Sequence, residues 1–293
     1  MSFLKINSGK FLMNKICIIG LGLLGGSIGK ECISKNLAKQ VVGFGRKHES
    51  LKKAKQLGLV HEISESFEDL KQADLIIIAT PVKQYSSIFK KINPYLSTTT
   101  LITDVGSTKK NVLKDASHLL NEHYQKFIGS HPIAGSEKHG PDAAQLGLFK
   151  NKNIIITPHE KNTNEDIDFI INFWNSLEGI SLIMDAMKHD EIFSTVSHLP
   201  HALAMIFMSM LNNKDNKDEL LRFAASGFRD FTRIAASSPE MWRDIFIDNK
   251  EACLKDLNEF KQQIEKFESI ITNEDDLEQY LQHASILRSN WNE

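Results

Sequence analysis

The sequence predicts an α/β protein in which an N-terminal, doubly wound parallel sheet is followed by an all-α domain. Three observations predict it. Short apolar runs alternate with helix-length segments from Asn14 to about Asp185; the first run ends in a glycine-rich turn; and no convincing strand occurs from Ala186 to Glu293. The 293 residues suit two domains of ordinary size. We divide them into a short extension (1–13), a sheet domain (14–185) and a helical domain (186–293), with Met13 as an alternative start.

The elements follow in order. Lys15-Ile16-Cys17-Ile18-Ile19 is a buried parallel strand ending at a glycine, and Ser27 to Asn36 reads as a helix. Gln40 to Phe44 is a second strand, with a helix from Ser50 to Leu57 closed by Gly58. Asp74 to Ala79 is a third strand, stopped at Thr80-Pro81, and Leu101 to Val105 a fourth, broken at Gly106. Phe127 to Gly129, Asn153 to Thr157 and Ile180 to Met184 supply later strands, with a helix near Asn164 to Leu177. Beyond Asp185, Ile192, Phe193, Val196, Leu199, Leu203, Ile206, Phe207 and Met210 recur at helical spacing. Ser238-Pro239-Glu240 is a helix start. Phe246, Cys253, Leu257, Phe260, Ile264, Phe267 and Ile271 then form a stripe suited to an internal seam or to pairing across a dimer axis.

The bulk numbers exclude several classes. A net charge of −2 gives no electrostatic reason to expect nucleic acid or an anionic membrane as partner. No apolar run reaches the roughly 18 residues of a membrane span, and the start lacks a signal-peptide pattern. Cys17, Cys32 and Cys253 are too few and too far apart for a disulfide framework or a thiolate metal site. We expect no metal and a cytoplasmic location.

Gly20-Leu21-Gly22-Leu23-Leu24-Gly25 follows an apolar strand and opens a helix, the context that turns a GxGxxG into a Rossmann-type dinucleotide loop. Gly20 permits the sharp turn, Gly22 lets the backbone approach a pyrophosphate, and Gly25 lets helix and strand pack closely. The helix start offers unpaired N–H groups to the phosphates. Leu23 and Leu24 on this loop and Thr80 and Pro81 at the third strand's end complete the expected cofactor contacts. Where NAD-binding proteins place an acid, about 20 residues on, this chain has Gly45-Arg46-Lys47. With no carboxylate to repel a 2′-phosphate and two cations to attract one, Arg46 and Lys47 predict NADP, with NAD as the alternative.

Further motifs carry the chemistry: TDVGS (103–107), SHPIAGSE (130–137), SHLPHA (197–202), GFRDFTR (227–233) and MWRDIF (241–246). Together with GLGLLGGSIG and ATPV they resemble the prephenate/arogenate dehydrogenase family of tyrosine biosynthesis, in family order and spacing from about Lys15 to about Ile271. The resemblance implies oxidative decarboxylation of prephenate to 4-hydroxyphenylpyruvate, with hydride passed to the nicotinamide. It assigns His131 as the catalytic histidine and Ser107 as the serine that bonds the substrate hydroxyl or fixes the imidazole. Arg233 is the substrate arginine, able to grip a carboxylate through two parallel N–H···O bonds.

His131, as a neutral imidazole, suits the proton that leaves the 4-hydroxyl, and aromatisation drives CO2 loss. His198 and His201 lie three apart around Pro200, which is expected to kink the helix. His201 is expected at the substrate's polar side chain, with His198 behind it. Ser136 and Trp242 are further substrate contacts, and Glu137 and Asp230 can form a gating ion pair or remain surface charges. His61, His118, His139 and His189 show no pattern. A β-hydroxyacid dehydrogenase would need a lysine in a glycine-containing helix of the second domain, which is missing. A non-catalytic NADP-binding redox sensor would need neither His131, Ser107 nor Arg233. Arogenate is the alternative substrate, although His201 is expected to favour the keto acid, and a homodimer through the helical domain is expected.

Overall fold

The computed structural model describes residues 12–135 and 140–291. Strands β1 (Met13–Ile19), β2 (Ala38–Phe44), β3 (Glu62–Ser64), β4 (Leu75–Ile78), β5 (Leu101–Asp104), β6 (Phe127–Pro132), β7 (Asn153–Thr157) and β8 (Ile180–Ile183) form one sheet. Its order is β3-β2-β1-β4-β5-β6-β7-β8. Helices α1 (Leu23–Ser34), α2 (His48–Gln56), α3 (Tyr85–Ile92), α4 (Lys110–Leu119) and α5 (Asn164–Ser176) belong to this half.

β1 shows why the sheet is covered on both sides. Ile16 and Ile18 enter one core cluster with Ile28 and Cys32 of α1, while Cys17 and Ile19 enter the other with Phe89 and Ile92 of α3. Alternate residues of one apolar run therefore bury on opposite faces, so the strand has no polar side. The strand order reverses direction between β1 and β4, which opens a crevice at the carboxyl ends of the strands.

The sheet half departs from the sequence expectation in its strand direction and in where its first helix begins. β7 runs antiparallel to β6, pairing His131 with Ile155, so the sheet is mostly rather than wholly parallel. Among the described residues no α-helix crosses over between these strands, and the chain returns from the edge at which β6 ended. Helix α1 starts at Leu23, not Ser27, so the glycine loop is itself the helix's entrance.

The helical half consists of α6 (Ala186–Phe193), α7 (Leu199–Asn212), α8 (Lys217–Arg222), α9 (Ser226–Thr232), α10 (Pro239–Asp248), α11 (Lys250–Ile270) and α12 (Glu274–Asn290). Asp185 caps α6, accepting from the backbone N–H groups of Met187 and Lys188. Ser194–His198 is a π-helical turn joining α6 to α7. Pro200 lacks the N–H that an unbroken α-helix would use, and the wider turn absorbs that defect in place of a sharp break.

The resulting helical segment, Ala186–Asn212, is long and apolar enough by length and composition to cross a membrane, with a window of mean hydropathy 1.3. The expectation that no stretch reaches that length is corrected. Its polar groups turn inward, however, with His189 and His198 buried, while Val196, Ile206 and Met210 are exposed. On α11 only Cys253 is buried; Ile264 and, just beyond the helix, Ile271 remain exposed in the single chain.

Candidate active site

A cleft of about 840 Å³ lies over the crevice between β1 and β4. Gly20 and Gly22 line its floor, Arg46 and Lys47 one end, and Thr80 and Pro81 the side beside β4. Gly20 has φ +101°, and a Cβ there would strike the backbone of Ala79. A Cβ at Gly25 would collide with the carbonyl oxygen of Gly20, so both glycines are required by the turn itself. Gly22 is different. A Cβ there meets no protein atom within 4 Å, so the fold alone does not demand glycine, whereas a group lying in the cleft would.

Gly22 also sits at the N-cap of α1 without a side-chain cap, and no acid occupies the first turn. The helix therefore presents unscreened N–H groups to the cleft, which fits a dinucleotide's diphosphate. Leu23 and Leu24 pack their side chains against the core, leaving only backbone N–H groups to offer. At the far end Glu65, brought beside β2 by the pairing of β3, also lines the cleft. The expectation that no carboxylate stands near Arg46 and Lys47 is corrected. Glu65 is bonded to His48 Nδ1 at 2.5 Å, which offsets part of its charge.

The catalytic candidates lie where the sheet meets α6. His131, near the end of β6, places Nδ1 2.8 Å from Nε2 of His189 on α6. His189 places its own Nδ1 2.7 Å from Oδ1 of Asp190. Asp190 also accepts from the backbone N–H groups of Lys109 and Lys110 at the start of α4. These contacts assign the protons. A carboxylate that accepts from the amides leaves His189 Nδ1 to donate, so the neutral His189 accepts at Nε2 from His131 Nδ1–H. The nitrogen left free on His131 is Nε2, with its lone pair. Burial above all, with the Lys109 ammonium adding to it, holds His131 well below the usual histidine range.

Ser107 is half-buried in the loop after β5, and the partner on His131 Nδ1 is His189 rather than this serine. The loop is braced from beneath. Lys109 Nζ lies 2.7 Å from Asp104, both side chains fully buried, and also donates to the Gly106 carbonyl. Asp104 accepts in turn from the backbone N–H groups of Gly106 and Ser130, tying the ends of β5 and β6 together.

Above these groups stands the helical half. His198 is buried, with Nδ1 3.2 Å from the Asn249 amide, and burial lowers its pKa to about 4. His201 stacks on Trp242 at 3.8 Å between ring centroids and donates from Nδ1 to the Ser197 carbonyl. Burial holds His201 below the usual histidine range, and Arg233, exposed after α9, lowers it further. His198 Nε2 and Trp242 Nε1 are buried polar atoms without a partner among the described residues. Ser136, Glu137 and His139 lie outside the described residues, so the gating pair with Asp230 does too. Asp230 itself is exposed.

Sequence reasoning passed over His189, which the fold brings to His131 from 58 residues away. Its signal was the adjoining His189-Asp190 dipeptide, on a stretch whose apolar spacing read as plain core.

Profiles described as "Prephenate dehydrogenase, nucleotide-binding domain" and "Prephenate dehydrogenase, dimerization domain" match residues 28–183 and 185–283. The prephenate dehydrogenase of Bacillus subtilis is 37% identical over 267 residues, covering 90% of this chain and 72% of that protein. The cyclohexadienyl dehydrogenase of Zymomonas mobilis is 33% identical over 89% of each chain. The crystal structure of prephenate dehydrogenase from A. aeolicus, in complex with hydroxyphenyl propionate and NAD+, superposes with a TM-score of 0.89 at 33% identity. It covers 94% of this chain and 98% of that one. The chain belongs to the prephenate dehydrogenase family.

Proposed function

We propose that this chain oxidatively decarboxylates prephenate to 4-hydroxyphenylpyruvate, using NADP in preference to NAD. The chain divides at Asp185 into a dinucleotide-binding half and a helical half for substrate and dimerisation. The observation that carries the reading is the Asp190–His189–His131 chain, because it leaves one unprotonated nitrogen, His131 Nε2, as proton acceptor.

Thr80 and Pro81 would hold the nicotinamide, which would supply the hydride acceptor. His131 Nε2 takes the proton of the 4-hydroxyl, and its Nδ1–H steadies the resulting imidazolium against His189. Ser107 orients the same hydroxyl. Arg233 grips a substrate carboxylate, and Trp242 Nε1 and His198 Nε2 are buried groups for its remaining oxygens. Ser136 is proposed as a further substrate contact on its motif alone. Loss of CO2 needs only that the ring be held, since aromatisation drives it.

Arg46 and Lys47 support NADP, because two cations face one carboxylate already engaged by His48. Exposed Val196, Ile206, Met210 and Ile264 support a homodimer through the helical half, with apolar side chains meeting a second copy rather than lipid. Cys17, Cys32 and Cys253 are free and buried, which suits a reducing cytoplasm.

A second reading, arogenate as an additional substrate, is favoured by His201. Its Nδ1 must donate to the Ser197 carbonyl, so the neutral ring offers a lone pair at Nε2. A lone pair suits an ammonium better than a keto oxygen, contrary to the sequence expectation that His201 favours the keto acid. Assaying prephenate and arogenate, each with NAD and with NADP, tests both readings. We expect the highest kcat/KM with prephenate and NADP; turnover of neither substrate overturns the assignment.

A further inference from the structure

Helix α10 belongs to the helical half, yet Glu240, Arg243 and Asp244 line the same cleft as the glycine loop. The helix reaches it by packing on residues 82–84, the turn that follows Pro81. Trp242 of the same turn of helix stacks on His201, so neighbouring residues of α10 face two different sites. Arg243 is held in a fixed posture. Its Nε and Nη2 both donate to Oδ1 of Asp244, at 2.9 and 2.6 Å. The Asp244 carboxylate is 3% exposed, whereas half of the Arg243 side chain stays open. Two of an arginine's five N–H donors are thereby committed, and the rest remain free for an anion.

A dinucleotide places two negative charges beside the entrance of α1. The glycine loop offers N–H groups there but no cation, and Arg46 and Lys47 stand at the end of β2. We infer that Arg243 is the helical half's ligand for the cofactor diphosphate, so that a bound dinucleotide bridges the two halves through α10. The inference rests on the reading of the cleft as a dinucleotide site. It also gives a physical role to Asp244, which pre-orients the guanidinium and lowers the ordering cost of binding.

The test is direct binding of NADH and NADPH, followed by nucleotide fluorescence without substrate. Arg243→Gln should weaken both by about tenfold and to the same extent, since both carry the diphosphate. Arg243→Lys, which keeps the charge but loses the fork, should weaken both by a smaller factor. Arg46→Ser should weaken NADPH alone. Unchanged affinity in Arg243→Gln, or a loss confined to NADPH, overturns the inference. Should Arg243→Gln lack a cooperative melt, Arg243→Lys decides: wild-type affinity for both nucleotides overturns it. Failure of the wild-type protein to bind either nucleotide would instead defeat the reading of the cleft.

Discussion

His131 Nδ1 stands 2.8 Å from His189 Nε2, and this contact decides which nitrogen of His131 is free to act as a base. Replacing His131 with Asn removes the acceptor while keeping a polar side chain of similar reach. Turnover should fall by about 10²–10⁴-fold, the usual contribution of a positioned acid or base. Nucleotide binding, measured by fluorescence, should remain within a factor of about two of wild type, since the glycine loop lies on another strand end.

His189 touches His131 rather than the reacting atoms, so its role is positioning. His189→Leu removes the acceptor for His131 Nδ1–H and should lower kcat by about 10²-fold, with substrate KM little changed. His189→Gln carries an amide oxygen that can accept the same hydrogen bond and should recover part of the loss. If both variants fall equally, the tautomer argument fails. Because burial lowers the His131 pKa, the acid limb of the wild-type pH profile should lie below pH 6.5.

Much of this architecture was legible from residue pattern alone, for identifiable reasons. A parallel strand buried on both faces must be apolar at every position, so Leu75-Ile76-Ile77-Ile78 is readable. β3 was not, because Glu62-Ile63-Ser64 is a short edge strand with polar ends. The same blindness hid Glu65, which reaches the cleft only through the pairing of Phe44 with Ser64. The antiparallel course of β7 depends on how the chain returns from β6, and its apolar run is indifferent to direction. His189 escaped notice because a buried histidine among Ile192, Phe193 and Val196 looks like core until His131 is placed against it. Lys109 escaped for a related reason: a fully buried lysine is recognisable only when Asp104 is seen beneath it.

That buried pair makes its own prediction. Lys109→Met leaves Asp104 charged, fully buried and without its cation. The expected loss is about 3–5 kcal/mol of stability, which should appear as a lower midpoint in urea at an unchanged slope. A midpoint equal to wild type would mean that the backbone N–H groups of Gly106 and Ser130 suffice to hold the carboxylate.

Acid should unfold the protein through its histidines. His131, His189, His198 and His201 all have pKa values lowered in the folded state, with burial the largest cause. The unfolded chain binds protons near pH 6.5 while the folded chain resists them, so stability rises with pH across this window and falls as pH drops below it. For His198 the shift from 6.5 to about 4 corresponds to about 3 kcal/mol, fully lost below pH 4. Urea midpoints measured between pH 7.5 and 5 should decline, and His198→Gln should flatten the decline. A pH-independent midpoint would contradict the neutral placement of these buried and half-buried rings.

The open apolar surface of the helical half predicts self-association. Val196 is 63% exposed, Phe223 77% and Ile264 46%, which is costly for a lone chain in water. Light scattering at micromolar concentration should give twice the 33.2 kDa chain mass. Ile264→Glu places a charge within that surface and should weaken the dimer by a factor of about ten or more, since an unpaired charge would be buried on association. Arg233 is exposed in the single chain and opens the turn that packs on α7, the helix that carries exposed Ile206 and Met210, so activity should fall together with the dimer as the protein is diluted. Dissociation without loss of activity would show instead that each chain's pocket is complete on its own.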